Sequence, residues 1–228
     1  MSWPEHTDIV DTMVDLPEEG SGDFSFLNSL MKGNHREDTK GLPVTYMFKN
    51  APKGKVPTGE DGVRYVLDEM DKYGVKTAVV TATDPDSLAA RSISKFPDRF
   101  AGIVHVNPNQ GMEAVRSIES RVKDGGVVGV SFYPAFSTPQ QVPINDKRAY
   151  PIYAKCAELE VPVFVTTGVP GPRVPMMAQH VELLDEVCWF FPELTIIMRH
   201  GGDPWTELAV KLLLKWPNLY YSTSGFAP

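Results

Sequence analysis

The sequence predicts an α/β fold, a TIM-type (β/α)8 barrel that is truncated before strand eight. Short β-branched segments alternate with helical patterns, which is typical of right-handed strand–helix–strand units. Within the strand segments apolar residues follow one another, as in Ile103–Val106, which indicates strands covered on both faces. The first strand is followed by Asp15–Pro17 and not by the glycine-rich phosphate loop of a Rossmann fold. We therefore favour a barrel over an open, doubly wound sheet.

The elements alternate along the whole chain. The seven predicted strands are Ile9–Asp15, Thr77–Ala82, Ala101–Asn107, Val127–Tyr133, Pro162–Gly168, Leu194–His200 and Leu219–Ser224. Five helices are predicted from apolar residues at helical spacing, running from Val63 to Met70, Met112 to Val122, Tyr153 to Leu159, Val181 to Cys188 and Leu208 to Leu213. Gly74 is placed to end the first helix.

We expect a single domain over residues 1–228, with an inserted loop at about residues 18–59. This segment is rich in Gly, Pro, Asn and Lys, and it carries Phe24, Phe26, Tyr46 and Phe48. It is either a lid or binding loop on the functional face or a partly disordered excursion. After Ser224 the sequence ends without an eighth strand. We expect either a truncated product of a longer gene, which we favour, or a second copy or another chain that completes the barrel.

Composition narrows the class of partner. The formal net charge is -7 and no Lys/Arg run is present, which argues against nucleic acid. The two cysteines, Cys156 and Cys188, lie in amphipathic helical stretches, so we expect reduced core thiols and a cytoplasmic protein. Neither a leader peptide nor an apolar run of membrane length is evident.

His200 is the sharpest functional signal. Barrel active sites lie at the carboxyl ends of the strands, and His200 ends the sixth strand before Gly201 and Gly202. Such a histidine suits a general acid or base, and Asp203 stands close enough in sequence to orient its imidazole. The alternatives are that His200 only caps the strand and that Asp203 only caps the helix that follows.

Other strand ends supply weaker candidates, each with a structural alternative. Asp15 is a second catalytic carboxylate or a turn residue. Arg173 has the planar fork that binds a substrate carboxylate, or it forms a surface ion pair. His105 is a pocket residue or a satisfied core histidine, and Tyr133 and Trp205 are expected to line the pocket with it.

The run His200–Trp205 resembles the amidohydrolase-related family that includes the aminocarboxymuconate-semialdehyde and salicylate-type decarboxylases. Phe96–Phe100, Phe191–Leu194 and Trp216–Tyr220 support the resemblance. Segments Gly168–Pro175 and Leu214–Ser224 are similar to an actinobacterial-type branch of that family. The resemblance covers nearly the whole chain, and it implies a barrel enzyme, more often a dimer than a monomer.

The resemblance also implies a metal site, but the residues of this chain depart from it. The two strand-one histidines of the family map to Met13 and Asp15, its strand-five histidine maps to Thr166, and its aspartate on strand eight has no counterpart. Met and Thr are poor zinc ligands, so we assign no metal residue and regard Thr166 as a substrate contact. The cofactor is left unknown, with zinc implied by the family only.

These observations support an amidohydrolase-related hydrolase or decarboxylase that acts on a small, carboxylate-bearing and perhaps aromatic substrate. His200 is the expected acid/base, oriented by Asp203, with Asp15 as a second proton-transfer group. The alternative is a catalytically inactive barrel that serves as a binding or subunit protein.

Overall fold

The computed structural model describes residues 8–19, 25–33 and 56–224 as one sheet of seven parallel strands with helices between them. The strands are β1 (Ile9–Val14), β2 (Val75–Thr81), β3 (Phe100–Val106), β4 (Val127–Phe132), β5 (Val163–Thr166), β6 (Ile196–Arg199) and β7 (Leu219–Tyr221). The α-helices are α1 (Gly59–Lys72), α2 (Leu88–Lys95), α3 (Met112–Lys123), α4 (Tyr150–Glu158), α5 (Leu184–Phe190) and α6 (Thr206–Lys215). None of these helices is long and apolar enough to cross a membrane.

The strand order confirms the barrel-type sheet. Every strand pairs in parallel with the next strand in the chain, from β1 through to β7. All seven predicted strands are present, with ends that differ by a few residues, and the five predicted helices are present as well. Gly74 follows α1 with a φ of +70°, as expected of a residue that ends a helix.

Helix α2 was not predicted. It has only eight residues, and its buried face combines Leu88 and Ile93 with the small residues Ala89 and Ser92, so its apolar periodicity is weak. The helix begins at a cap that the sequence does provide, because the Ser87 side chain accepts a hydrogen bond from the Ala90 amide. A single cap before a short segment is a weak signal when the helix face contains small residues.

Side chains alternate between two sides of the sheet. One side packs under the helices, where Val104, Val130, Val165 and Met198 are buried within the main core. The other side is the barrel interior, where a small cluster forms around Ile103 and Phe164. Residues two positions further along those strands therefore also point into the interior, at the carboxyl ends of the strands.

The amino-terminal half of strand β1 is exposed, unlike the central strands. Ile9 and Val10 are 43% and 52% exposed. In the part of the chain that the structure describes, β1 pairs only with β2 and lies at one edge of the sheet, while β7 lies at the other. Its amino-terminal half therefore lacks the second neighbour that buries the central strands.

The predicted inserted loop is only partly described. Its described residues include a 3-10 helix at Ser25–Ser29, in which Leu27 is fully buried, and Phe26, which is 55% exposed. The loop rejoins the barrel where the Gly59 amide donates to the carbonyl of Pro17 over 2.9 Å. Phe24, Tyr46 and Phe48 lie outside the described residues, so the choice between lid and excursion stays a prediction.

The two cysteines behave as core residues. Cys156 and Cys188 are both buried and neither forms a disulfide, as predicted. Burial raises the pKa of each thiol to about 12. Both thiols therefore stay protonated and unreactive near neutral pH.

Candidate active site

The interior side chains of strands β3 to β6 converge at the carboxyl end of the sheet. Strand register places His105 beside Ser131, and it places Thr166 beside Arg199. The Tyr133 ring follows β4 and lies 4.7 Å from the His105 ring, centroid to centroid. Two predicted pocket residues, His105 and Tyr133, are thus in contact, and Thr166 lies on the same interior side of the sheet.

Arg199 is the central residue of this group, and it was not predicted as a site residue. Its side chain is only 1% exposed, and its guanidinium carbon lies 4.8 Å from the centroid of the Phe164 ring. Nη2 donates to the carbonyl of Thr12 on β1 over 3.1 Å, and Nη1 lies 3.5 Å from the Tyr133 hydroxyl. Side chains alternate along a strand, so Arg199 lies on the same side of β6 as Ile197, which faces the interior. This spacing of two residues is the sequence signal that could have identified Arg199.

Several buried polar atoms around Arg199 have no hydrogen-bond partner. They lie on adjacent strands and comprise His105 Nδ1, Ser131 Oγ, Thr166 Oγ1 and Arg199 Nε. An unsatisfied buried donor or acceptor typically costs about 1–3 kcal/mol. Four such atoms on neighbouring strands indicate a place that is built to be completed by a polar ligand or by water.

His200 directly follows Arg199 and adopts the left-handed backbone conformation, with a φ of +62°. Its Nδ1 lies 2.8 Å from the backbone carbonyl oxygen of Ser224, so Nδ1 carries the proton and donates. This tautomer leaves Nε2 with the basic lone pair. Burial lowers the pKa of His200, as does the nearby charge of Arg199, while the bond to Ser224 acts in the opposite direction. The imidazole is therefore neutral near pH 7.

Close backbone contacts fix the loop that carries His200. Gly201 donates its amide to the Ser222 carbonyl over 3.0 Å, and its own carbonyl accepts from the Tyr221 hydroxyl over 2.7 Å. The Val169 amide donates to the backbone oxygen of Asp203 over 2.9 Å, which ties the loop after β5 to the loop after β6. Gly168 permits this approach, because a Cβ atom there would lie 2.8 Å from that same oxygen.

The remaining predicted residues lie further out. Asp203 is exposed, and the partner of His200 Nδ1 is the Ser224 carbonyl and not the Asp203 carboxylate that we expected. Asp15 is exposed just after β1, near enough for its charge to act on Arg199. Arg173 is exposed in the loop after β5, and the Trp205 ring lies 4.0 Å from the ring of His180.

The donor set around the interior does not fit a zinc ion. No group of three or more His, Cys, Asp or Glu side chains comes together within the described residues. The resemblance described above matches the family's ligand positions to Met13, Asp15 and Thr166, and that match stays a prediction. The guanidinium of Arg199 bonds to the carbonyl that immediately precedes Met13, so a buried cation already lies beside these positions.

His105 is expected to make the free energy of unfolding depend on pH below neutral. Burial, chiefly, and the charge of Arg199 lower its pKa from 6.5 to about 4, against the nearby backbone of Ser131, which acts to raise it. Between these pH values the unfolded chain binds a proton that the folded chain does not bind. The free energy of unfolding should therefore decrease as the pH falls from about 6.5 to 4, by up to about 3 kcal/mol from this group.

Urea unfolding at pH 7 and pH 4.5 tests this expectation with a His105→Gln variant. The variant should lose less stability between the two pH values than the wild-type protein loses, because glutamine does not titrate. An equal loss in both proteins would show that His105 is not the group responsible.

Comparisons with known proteins support the fold and its family. The model of the family Amidohydro_2, described as amidohydrolase, matches residues 34–228. A 2-keto-4-carboxy-3-hexenedioate hydratase from Sphingobium sp. (strain NBRC 103272 / SYK-6) is 28% identical over 144 residues. The match includes 55% of this chain and 41% of the hydratase, so the chain spans less than half of that relative.

Solved structures show the same architecture. A TIM-barrel protein, Bb4693, from Bordetella bronchiseptica superposes with a TM-score of 0.65 and 21% identity, covering 95% of this chain and 75% of its own. The 5-carboxyvanillate decarboxylase of Sphingomonas paucimobilis superposes with a TM-score of 0.58 and 15% identity, covering 92% of this chain and 75% of its own. The 4-oxalomesaconate hydratase of Rhodopseudomonas palustris superposes with a TM-score of 0.54 and 20% identity, covering 94% of this chain and 74% of its own. These likenesses confirm the TIM-type barrel fold.

Proposed function

Because this chain belongs to the amidohydrolase family, we propose that it is a lyase of that family, a hydratase or decarboxylase of a small unsaturated or aromatic acid. The observation that carries the proposal is His200, a neutral imidazole fixed at the barrel mouth in one tautomer. Nε2 is the nitrogen left to exchange a proton with a bound molecule.

His200 is well placed for general acid–base work. Its backbone is held by the glycines that follow it, and its Nδ1 by the Ser224 carbonyl, so the ring has little freedom to turn. A neutral imidazole can take a proton from water during its addition to a double bond. In a decarboxylation, an imidazolium can instead give a proton to the carbon that loses carbon dioxide.

Lyase chemistry suits these residues better than hydrolysis does. Hydrolysis at neutral pH usually draws its hydroxide from a bound metal ion, and the donor set around Arg199 does not fit one. Proton transfer at carbon needs only an acid/base and a cation that stabilises developing negative charge. The names of the relatives point the same way, and they add hydration to the hydrolase and decarboxylase activities expected from sequence.

Other residues shape the pocket in this proposal. We assign His105, Tyr133 and Thr166 to its interior wall, and Trp205 and Arg173 to its entrance. Asp15 is a second proton-transfer group at the mouth, and Asp203 anchors the His200 loop through its backbone oxygen. A homo-oligomer, or a further chain beside β1 and β7, remains part of the proposal.

A turnover screen of the purified protein tests the function. The substrates are 2-keto-4-carboxy-3-hexenedioate, 5-carboxyvanillate and 2,6-dihydroxybenzoate, followed by ultraviolet absorbance for loss of conjugation and by a coupled assay for carbon dioxide. We expect turnover of at least one acid, and turnover that survives dialysis against a chelator. Inactivity on all three acids, with and without added Zn²⁺, would favour the non-catalytic barrel instead.

A further inference from the structure

We propose that the buried guanidinium of Arg199 is the anion-binding group of the site and holds a carboxylate of the substrate beside His200. This inference rests on the proposed function for its substrate class, while the binding site itself is argued from the residues around Arg199. It assigns to Arg199 the task that sequence analysis gave to Arg173.

The burial of Arg199 without an acidic partner is the first argument. Arginine is almost never fully buried unless it is paired, yet Arg199 is only 1% exposed. Among the described residues no carboxylate oxygen lies within 4.0 Å of its guanidinium, and the charge of the exposed Asp15 acts on it only from further away. Its hydrogen-bond partners are the Thr12 carbonyl and the Tyr133 hydroxyl. Nε has no partner at all. A bound anion would supply the missing charge and the missing acceptor.

The neighbouring groups fit a carboxylate in particular. Thr166 Oγ1 and Ser131 Oγ are buried hydroxyls without partners, and each can donate to a carboxylate oxygen. The guanidinium presents a planar fork that matches the two oxygens of one carboxylate. Phe164 lies 4.8 Å from the guanidinium carbon and covers one face of the group, which leaves its edge free to meet a carboxylate.

Arg199 and His200 are consecutive residues at the carboxyl end of β6. The charge of Arg199 acts on the imidazole and contributes to its lowered pKa. In this proposal a carboxylate bound to Arg199 therefore holds the substrate at the same end of the barrel as His200.

Calorimetric titration with succinate tests the site without any turnover. We expect a Kd of about 1 mM for the wild-type protein after dialysis against a chelator, and a loss of affinity of at least about 10-fold in Arg199→Met. Arg116→Met removes an exposed arginine from α3, and it is the matched control that should bind succinate as the wild type does. Arg173→Gln tests the rival arginine.

The melting temperature distinguishes a binding role from a structural one. Methionine fills a similar volume without a charge, so ligand-free Arg199→Met should melt at the wild-type temperature or above it. Succinate should raise the melting temperature of the wild type and leave that of the variant unchanged. If Arg199→Met does not fold, Arg199→Lys retains the charge without the fork, and it should bind succinate more weakly than the wild type.

Several results would overturn the inference. They are wild-type protein that does not bind succinate, Arg199 variants that bind it normally, and a loss of affinity confined to Arg173→Gln. A protein that binds succinate through Arg199 but turns over none of the three acids would instead refute the lyase proposal and leave the anion site standing.

Discussion

Replacing His200 by asparagine is expected to lower kcat by about 10²–10⁴-fold on any acid that the wild-type protein converts. Asparagine is the informative replacement, because His200 has a φ of +62° and asparagine tolerates the left-handed conformation better than alanine does. Its amide can still donate a hydrogen bond towards the Ser224 carbonyl. The variant therefore removes the proton-transfer nitrogen while it preserves the loop.

The pH profile gives a second measurement of the same role. Since the pKa of His200 is lowered, the wild-type kcat/KM for a base-dependent step should be constant near neutral pH and should decrease below pH 6.5. This acidic limb should disappear in His200→Asn. His180→Asn is the matched control, because Asn can replace the His180 acceptor that caps a 3-10 turn. A His200→Asn protein with normal kcat would refute the acid/base assignment.

Substituting Gly168 by alanine is expected to lower the free energy of unfolding by about 3 kcal/mol. Gly168 has a φ of +91°, and the added Cβ would lie 2.8 Å from the backbone oxygen of Asp203. The loops after β5 and β6 would have to separate, and the Val169–Asp203 hydrogen bond would be lost. Urea unfolding followed by circular dichroism measures the change.

Gly74→Ala separates backbone strain from the steric clash. Gly74 also has a positive φ, +70°, but no atom lies within 4 Å of the position that a Cβ would take. Its substitution should cost only the left-handed conformation, about 1 kcal/mol. Equal losses in the two variants would show that the close approach at Gly168 contributes nothing to stability.

The sheet was predictable because each strand is marked by its own short run of apolar, β-branched residues. Ile103 and Val104 are apolar on successive positions, and a strand with helices on one side and a packed interior on the other requires such a pattern. Helix α2 was missed because its buried face includes Ala89 and Ser92, which carry little hydrophobic signal. The exposure of Ile9 agrees with the predicted truncation, because a barrel that stops before strand eight leaves strands one and seven at the sheet edges.

The site was predictable in part for a similar reason. His200 was proposed from the glycines that follow it, His105 and Tyr133 from their places on strands, and Thr166 from the family resemblance. Arg199 was not predicted because an arginine at the end of a strand, directly before His200, is also what an exposed strand end would contain. Its importance comes from burial and from missing partners, which are properties of the folded chain. The choice of Ser224 over Asp203 as the Nδ1 partner likewise depends on a contact between two loops.

The bond from Arg199 to the Thr12 carbonyl also has a consequence for the order of folding. Each strand pairs with its immediate successor, so the sheet can grow one strand at a time, whereas this bond joins residues 187 positions apart. The entropy cost of closing so long a loop is smaller after the intervening strands have assembled. We therefore expect β1 and β6 to become linked late, and a carboxylate held by Arg199 to reach its final surroundings only in that last step.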